Sequence, residues 1–196
     1  MALSKVGLVE PIDSMTVSGT TPTLTIGDAG AEDAKIVFDG NAQDYHIGLD
    51  DSADTLVIGK GSALGTTTSM SFDANGIITK PLQPVFLVRP SSDQADLATG
   101  ATNVAWGAEI FDVGANFASN TFTAPVTGKY QFNVSLYLSE IDIDTTLFDV
   151  VMIASNRQQR LMAANFAKDF SADGNDFHSM NASTILDMDA SDTLKR

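Results

Sequence analysis

Cysteine is absent from the 196 residues. That excludes a disulfide framework, a thiolate metal site and a cysteine nucleophile. Basic residues are scarce too: 11 Lys and Arg stand against 25 Asp and Glu, a formal net charge of −14. Phosphate binding needs clustered Lys and Arg, so no nucleic-acid partner is expected. No apolar run is long enough for a membrane-spanning helix, and no membrane insertion is expected. The opening residues MALSKVGLVEPID lack the apolar block of a signal peptide. The product therefore reads as folded without signal-peptide export, either cytosolic or assembled in a cytosol and released by lysis.

Hydrophobic residues make up 43% of the chain, enough for a core in one large or two small domains. The acid excess is even: residues 1–80 hold eleven acids and four bases, and residues 81–196 hold fourteen and seven. Such a spread describes a solvated surface rather than a charged tail. Alternating apolar and polar residues dominate, and an all-β chain is expected.

Residues 1–21 are short and mixed, with little to bury, and suit an attachment arm that a partner orders. Residues 22–80 contain a repeat. Thr23-Leu24-Thr25-Ile26-Gly27 recurs as Thr55-Leu56-Val57-Ile58-Gly59, and Ile36-Val37-Phe38-Asp39-Gly40-Asn41 as Met70-Ser71-Phe72-Asp73-Ala74-Asn75. Repetition at such a period points to stacked units, each read here as a pair of short strands. Tyr45-His46-Ile47-Gly48-Leu49 alternates between them and ends at the acidic turn DDSAD. Each strand offers only two or three large apolar residues on one face, and no helix covers them. Thin hairpins of this kind are marginal alone in water. Three chains wound together close the edges and share an apolar axis. Ile26, Phe38, Ile58 and Phe72 are the expected trimer contacts.

Lys80-Pro81-Leu82-Gln83-Pro84 marks a junction at residues 81–84, because prolines stiffen the chain and discourage ladder pairing. Residues 85–196 form the second region. Val85 to Arg89 is a strong strand. Phe111 to Asn133 reads as a strand, a polar turn and a second strand, with Gly128 supplying a positive φ at the turn. Phe148 to Ala154, apolar but for Asp149, suits a strand between two packed neighbours. Leu161 to Phe170 has the spacing of a short helix, but the all-β context favours strand or irregular structure, and Phe177 to Met188 reads as a further strand.

Within this region Phe122-Thr-Ala-Pro-Val-Thr-Gly128-Lys-Tyr130-Gln-Phe132 follows Trp106, Asp112 and Phe117. This constellation resembles the signature of C1q-like heads, a jelly roll related to the tumour-necrosis-factor fold. The resemblance spans roughly Pro84 to Arg196. It implies an antiparallel sandwich whose core includes Trp106, Phe117, Phe122, Tyr130 and Phe132. It also implies further strands after the Asp189–Asp192 turn, so the chain reads as truncated, or as a head that closes differently. A sandwich lacking a central strand leaves two neighbours with unpaired backbone groups. The Gly-, Thr- and Asp-rich stretches DYHIGLDDSADTLVIG and SFDANGIITKP resemble shaft modules of bacteriophage tail fibres.

Chemistry is sparse. His46 and His178 lie in different domains and each reads as a surface or packing residue. Nucleophile-elbow, Walker and dinucleotide-binding patterns are absent from the sequence, and no enzymatic activity is expected. Acidic turns gather Asp50, Asp51 and Asp54; Asp142 and Asp144; and Asp187, Asp189 and Asp192. Three oxygens begin a calcium site, which wants six to eight, and some C1q-like heads bind calcium. Solvated turns are the plainer account, so no cofactor is assigned beyond that calcium candidate. Paired carboxylates also serve glycosidases, but those need one acid facing another across a groove.

The combined expectation is a homotrimeric virion fibre, on a phage tail or capsid surface and assembled in the host cytoplasm. It would bind other virion proteins through its arm and a host receptor or glycan through its head. The alternatives are a capsid decoration, cement or head-fibre protein, and a secreted C1q-like lectin.

Overall fold

The computed structural model describes residues 13–97, 100–141, 144–164 and 177–195. Residues 1–12 of the expected arm lie outside them, as do Asp142 and the end of the Leu161–Phe170 segment. The chain is all-β with antiparallel sheets and no closed barrel, and it divides into two compact units, Met1–Pro81 and Leu82–Arg196.

The first unit is a five-stranded meander of β1 (Ala34–Phe38), β2 (Tyr45–Asp50), β3 (Thr55–Lys60), β4 (Thr68–Phe72) and β5 (Ile78–Thr79), paired in that order. Its turns are built by aspartates. The Asp50 carboxylate accepts from the Ser52 hydroxyl and the Ala53 amide, and Asp54 closes the turn at φ 51°. The Asp73 carboxylate accepts from the amides of Asn75 and Ile77, at 2.9 and 2.7 Å, around Gly76 at φ 79°. Short polar side chains holding their own following amides favour a turn over continued strand.

The repeat does not form two equivalent hairpins. Its second copy is the β3–β4 pair, with Leu56 opposite Phe72 and Ile58 opposite Met70. Thr23–Gly27 of the first copy is in no strand, and Ile36–Phe38 pairs with β2 instead. A strand exists only with a neighbour, and β2 offers β1 a fully matched alternating partner.

The two faces of this sheet differ. His46, Gly48, Val57 and Gly59 are buried on one side. The β3–β4 loop folds back over it: the Gly61 carbonyl accepts from His46 Nδ1 at 2.7 Å, and the Ser62 carbonyl from Lys35 Nζ at 2.7 Å. A Cβ on Gly59 would lie 2.6 Å from the His46 ring and 2.7 Å from the Thr67 carbonyl oxygen. That space exists only for glycine.

The second unit contains β6 (Val85–Arg89), β7 (Ala108–Val113), β8 (Phe117–Ala118), β9 (Thr121–Thr123), β10 (Gly128–Ser139), β11 (Phe148–Ala154), β12 (Gln158–Ala164), β13 (Phe177–Met188) and β14 (Thr193–Lys195). One layer is a five-stranded sheet in the order β12-β11-β14-β9-β8. The other consists of two separate ribbons, β10-β13 and β6-β7. The buried core joins the layers: Phe122, Met152, Ala154 and Leu194 from the sheet meet Phe132, Leu186 and Met188 from the long ribbon. The result is a β-sandwich. The β6-β7 ribbon attaches through Phe86, whose ring stacks on Phe117 at 5.0 Å and Phe122 at 5.2 Å. Asp149, the one acid of β11, is paired with Arg160 of β12 at 3.1 Å.

Three local expectations change. Phe111–Asn133 is not one strand, one turn and one strand. Gly114, at φ 94°, turns the chain out of β7, and the Asp112 carboxylate holds that turn by accepting from the amides of Asn116 and Phe117. Ser119 and Asn120, both at positive φ, then make a two-residue hairpin of β8 and β9. Gly128 has no positive φ; it opens β10, and the Tyr130 hydroxyl donates to the Val126 carbonyl at 2.6 Å to close that corner. Trp106 is half-buried and borders a cavity that Phe117, Phe122 and Phe132 also line; Phe122 and Phe132 belong to the buried core, and Phe117 and Tyr130 pack against it.

Two substitutions test this packing. Gly59→Ala should destabilise the first unit by about 1–3 kcal/mol, the range for overpacking, measured by denaturant unfolding. Phe86→Ala should lower the stability of the second unit by about 2–3 kcal/mol, below the range for a fully buried ring because Phe86 is only half-buried. It should also speed hydrogen exchange in β6 and β7 before the rest of that unit.

Candidate functional site

Cross-strand register sets the open face of the first unit. Ala34, Leu49, Leu56, Phe72 and Ile78 lie opposite one another across all five strands. Ile36, Ile47, Ile58 and Met70 form a second row, and Phe38, Tyr45 and Lys60 a third. Directly opposed residues share a face. Twelve positions therefore lie on one side, and Lys60 is the sole charge among them. Much of this surface meets solvent: Phe38 is 60% exposed, Leu49 45% and Ile58 37%. Contiguous apolar surface of this kind is uncommon on a monomer and marks an interaction site.

Three residues expected at a trimer contact, Phe38, Ile58 and Phe72, occupy this face by register. Ile26 reaches it differently: a shallow depression there is lined by Leu24, Ile26, Ile36, Ile47, Leu49 and Leu56, among others. Ile36, Ile47, Leu49 and Leu56 belong to the same surface but were not singled out from the sequence. The alternation in YHIGLD and TLVIGK was the signal that places them.

The second unit has an open groove. Among the described residues β6 shares a ladder only with β7, and β10 only with β13. A cavity of about 640 Å³ touches Leu87 and Val88 on β6, Asn133 to Ser135 on β10 and Asn181 to Ser183 on β13. Its floor includes Phe86, Phe122, Phe132 and Met152. Phe86 and Phe132 approach across it, with ring centres 6.4 Å apart.

Among the described residues no three His, Cys, Asp or Glu side chains converge on a point. Asp50 is occupied by its own turn, and Asp33 accepts from the Asp51 amide at 3.1 Å. Asp187 sits 3.9 Å from Lys129, Asp189 accepts from the Thr127 hydroxyl, and Asp192 accepts from Ser155 at 2.6 Å, Asn156 at 2.9 Å and the Asp189 amide at 2.9 Å. Of the calcium candidates Asp50, Asp51, Asp54, Asp187, Asp189 and Asp192, it is Asp50, Asp189 and Asp192 whose carboxylates accept from donors that shape the turns. His46 is buried as a packing residue of the first unit, and His178 lies on β13 of the second. Among the described residues no helix is long and apolar enough to cross a membrane.

No protein-family model, curated protein or solved structure matches the chain.

Asp192 fastens the β13–β14 turn to Ser155. The Ser155 hydroxyl first, then the Asp189 amide and the Arg157 charge, hold its carboxyl below the ordinary value. A depressed folded value means the stabilisation is present above the unfolded value, near pH 4, and is lost as pH falls through the folded one. Acid titration of the unfolding midpoint, read by Trp106 fluorescence, should therefore fall below about pH 4. Asp192→Asn should lower the midpoint at neutral pH and flatten that acid limb.

Proposed function

We propose that this chain is a homotrimeric virion fibre protein, its first unit a shaft element and its second a C1q-like head that attaches to a host surface. The observation that carries the reading is the open apolar face of the five-stranded sheet. Three copies placing these faces on a common axis would bury Phe38, Ile58 and Phe72 together with Ile36, Ile47 and Leu49. The sandwich of the second unit and the aromatic residues around Phe122 support the resemblance to C1q-like heads. Adhesion would then be multivalent: three heads on one stalk raise effective concentration, so individually weak contacts to a receptor or glycan combine.

Sedimentation equilibrium of the intact chain tests the assembly. The expected mass is three times the 20.7 kDa of one chain. Ile58→Asp should raise the concentration needed for assembly at least about tenfold, since an unpaired charge at a buried contact is strongly unfavourable. A folded monomer at micromolar concentration would contradict the reading. Labelling the intact particle would separate a fibre at the tail from a decoration protein spread over the capsid.

A further inference from the structure

The long β10-β13 ribbon has two faces. Alternate residues, among them Phe132, Leu186 and Met188, turn into the core. The residues between them are all exposed, and register sets them opposite one another in pairs from Lys129–Asp187 to Ser139–Phe177. Lys129 and Asp187 lie 3.9 Å apart at one end and are the only charges on this face, so its net charge is zero. At the other end the rings of Tyr137 and Phe177 stack, with centres 5.7 Å apart and planes 17° from parallel. They are 67% and 62% exposed, although aromatic side chains gain most by burial. Between the ends stand Gln131, Asn133 and Asn181, with serines and Ile185. The Gln131 side-chain amide donates to the Asn133 side-chain oxygen at 3.3 Å, which orders both.

This combination matches the chemistry of a sugar polymer. An aromatic ring offers an apolar plane on which the CH groups of a pyranose pack. Side-chain amides and hydroxyls both donate and accept, as sugar hydroxyls do. Strand geometry puts about 20 Å between Gln131 and Tyr137, room for several sugar rings in line. A protein contact wants apolar residues at its centre and polar ones at its rim, the reverse of this face. Nucleic acid and acidic polysaccharide need positive charge, which the face lacks and the chain's −14 opposes. We propose that the outer face of β10 and β13 binds a neutral polysaccharide, one sugar ring packing on the Tyr137–Phe177 pair and its neighbours bonding to Asn181, Asn133 and Gln131. The inference rests on the reading of the second unit as the part that attaches, and not on the open face of the five-stranded sheet.

Saturation-transfer NMR of the full-length chain with cello-, laminari-, manno- and galacto-oligosaccharides tests this. At least one of the four should bind with millimolar or tighter affinity. Tyr137→Ala should weaken that binding at least about threefold, the loss of one aromatic contact, without moving the unfolding midpoint. Asn181→Ala should weaken it too. Phe111→Ala, which removes an exposed ring on β7, should leave it unchanged. Binding to none of the four would overturn the proposal. So would binding that survives both Tyr137→Ala and Asn181→Ala. A loss of self-association in these variants in place of a loss of sugar binding would overturn it as well, by making the face a contact between copies. The attachment reading fails separately. Adhesion of the labelled chain to bacterial cells that persists undiminished in Tyr137→Ala would overturn this surface and leave attachment standing.

Discussion

The second unit depends on the contact of one half-buried ring. β6 and β7 share a ladder with each other and with no other described strand. What fixes this ribbon to the sandwich is Phe86, stacked on Phe117 and Phe122 and angled toward Phe132. Offset ring contacts hold by dispersion and apolar burial, and they are indifferent to ladder continuity. The ribbon can therefore be held to the sandwich without a ladder to any other described strand.

How much of this was legible depended on whether the deciding interaction was local. Phe177–Met188 alternates over twelve residues and appears as β13 with those bounds. Phe148–Ala154, apolar but for Asp149, lies between β12 and β14. The β8–β9 hairpin was missed because Ser119-Asn120 lacks the glycine that usually announces a two-residue turn; Asn and a small Ser tolerate positive φ instead. Gly128 misled in the opposite sense, as a glycine beside a proline that lies in an extended strand. Thr23–Gly27 matches Thr55–Gly59 in sequence yet forms no strand, since pairing depends on what lies alongside.

The candidate sites show the same division. The open face follows from alternation in β1 to β4, so Phe38, Ile58 and Phe72 were readable, and their neighbours with them. The acidic turns looked like ligand clusters because carboxylates close in sequence are close in space. Several of those carboxylates instead accept from amides and hydroxyls of the protein, as Asp50 does from Ser52 and Ala53 and Asp192 from Ser155 and Asp189. The groove was not readable from any one stretch. It is lined by residues of β6, β8, β9, β10, β11, β13 and β14 together, strands far apart in the chain.

Residue size is sorted across the five-stranded sheet in a way that bears on its stability. The side covered by residues 61–67 carries Gly48 and Gly59, where a Cβ would strike the Ala34 carbonyl or the His46 ring. Small residues let the loop approach closely, and His46 and Val57 fill what space remains. The large apolar residues, Ile36, Ile47, Leu49, Leu56, Ile58 and Phe72, stand on the opposite side. Among the described residues of this unit, the chain thus covers the face with the least apolar surface to gain and leaves open the face with the most. Burying the open face requires a surface from outside the sheet. A partner that supplied it would add its binding free energy to folding, and the stability of this unit would then rise with the concentration of that partner.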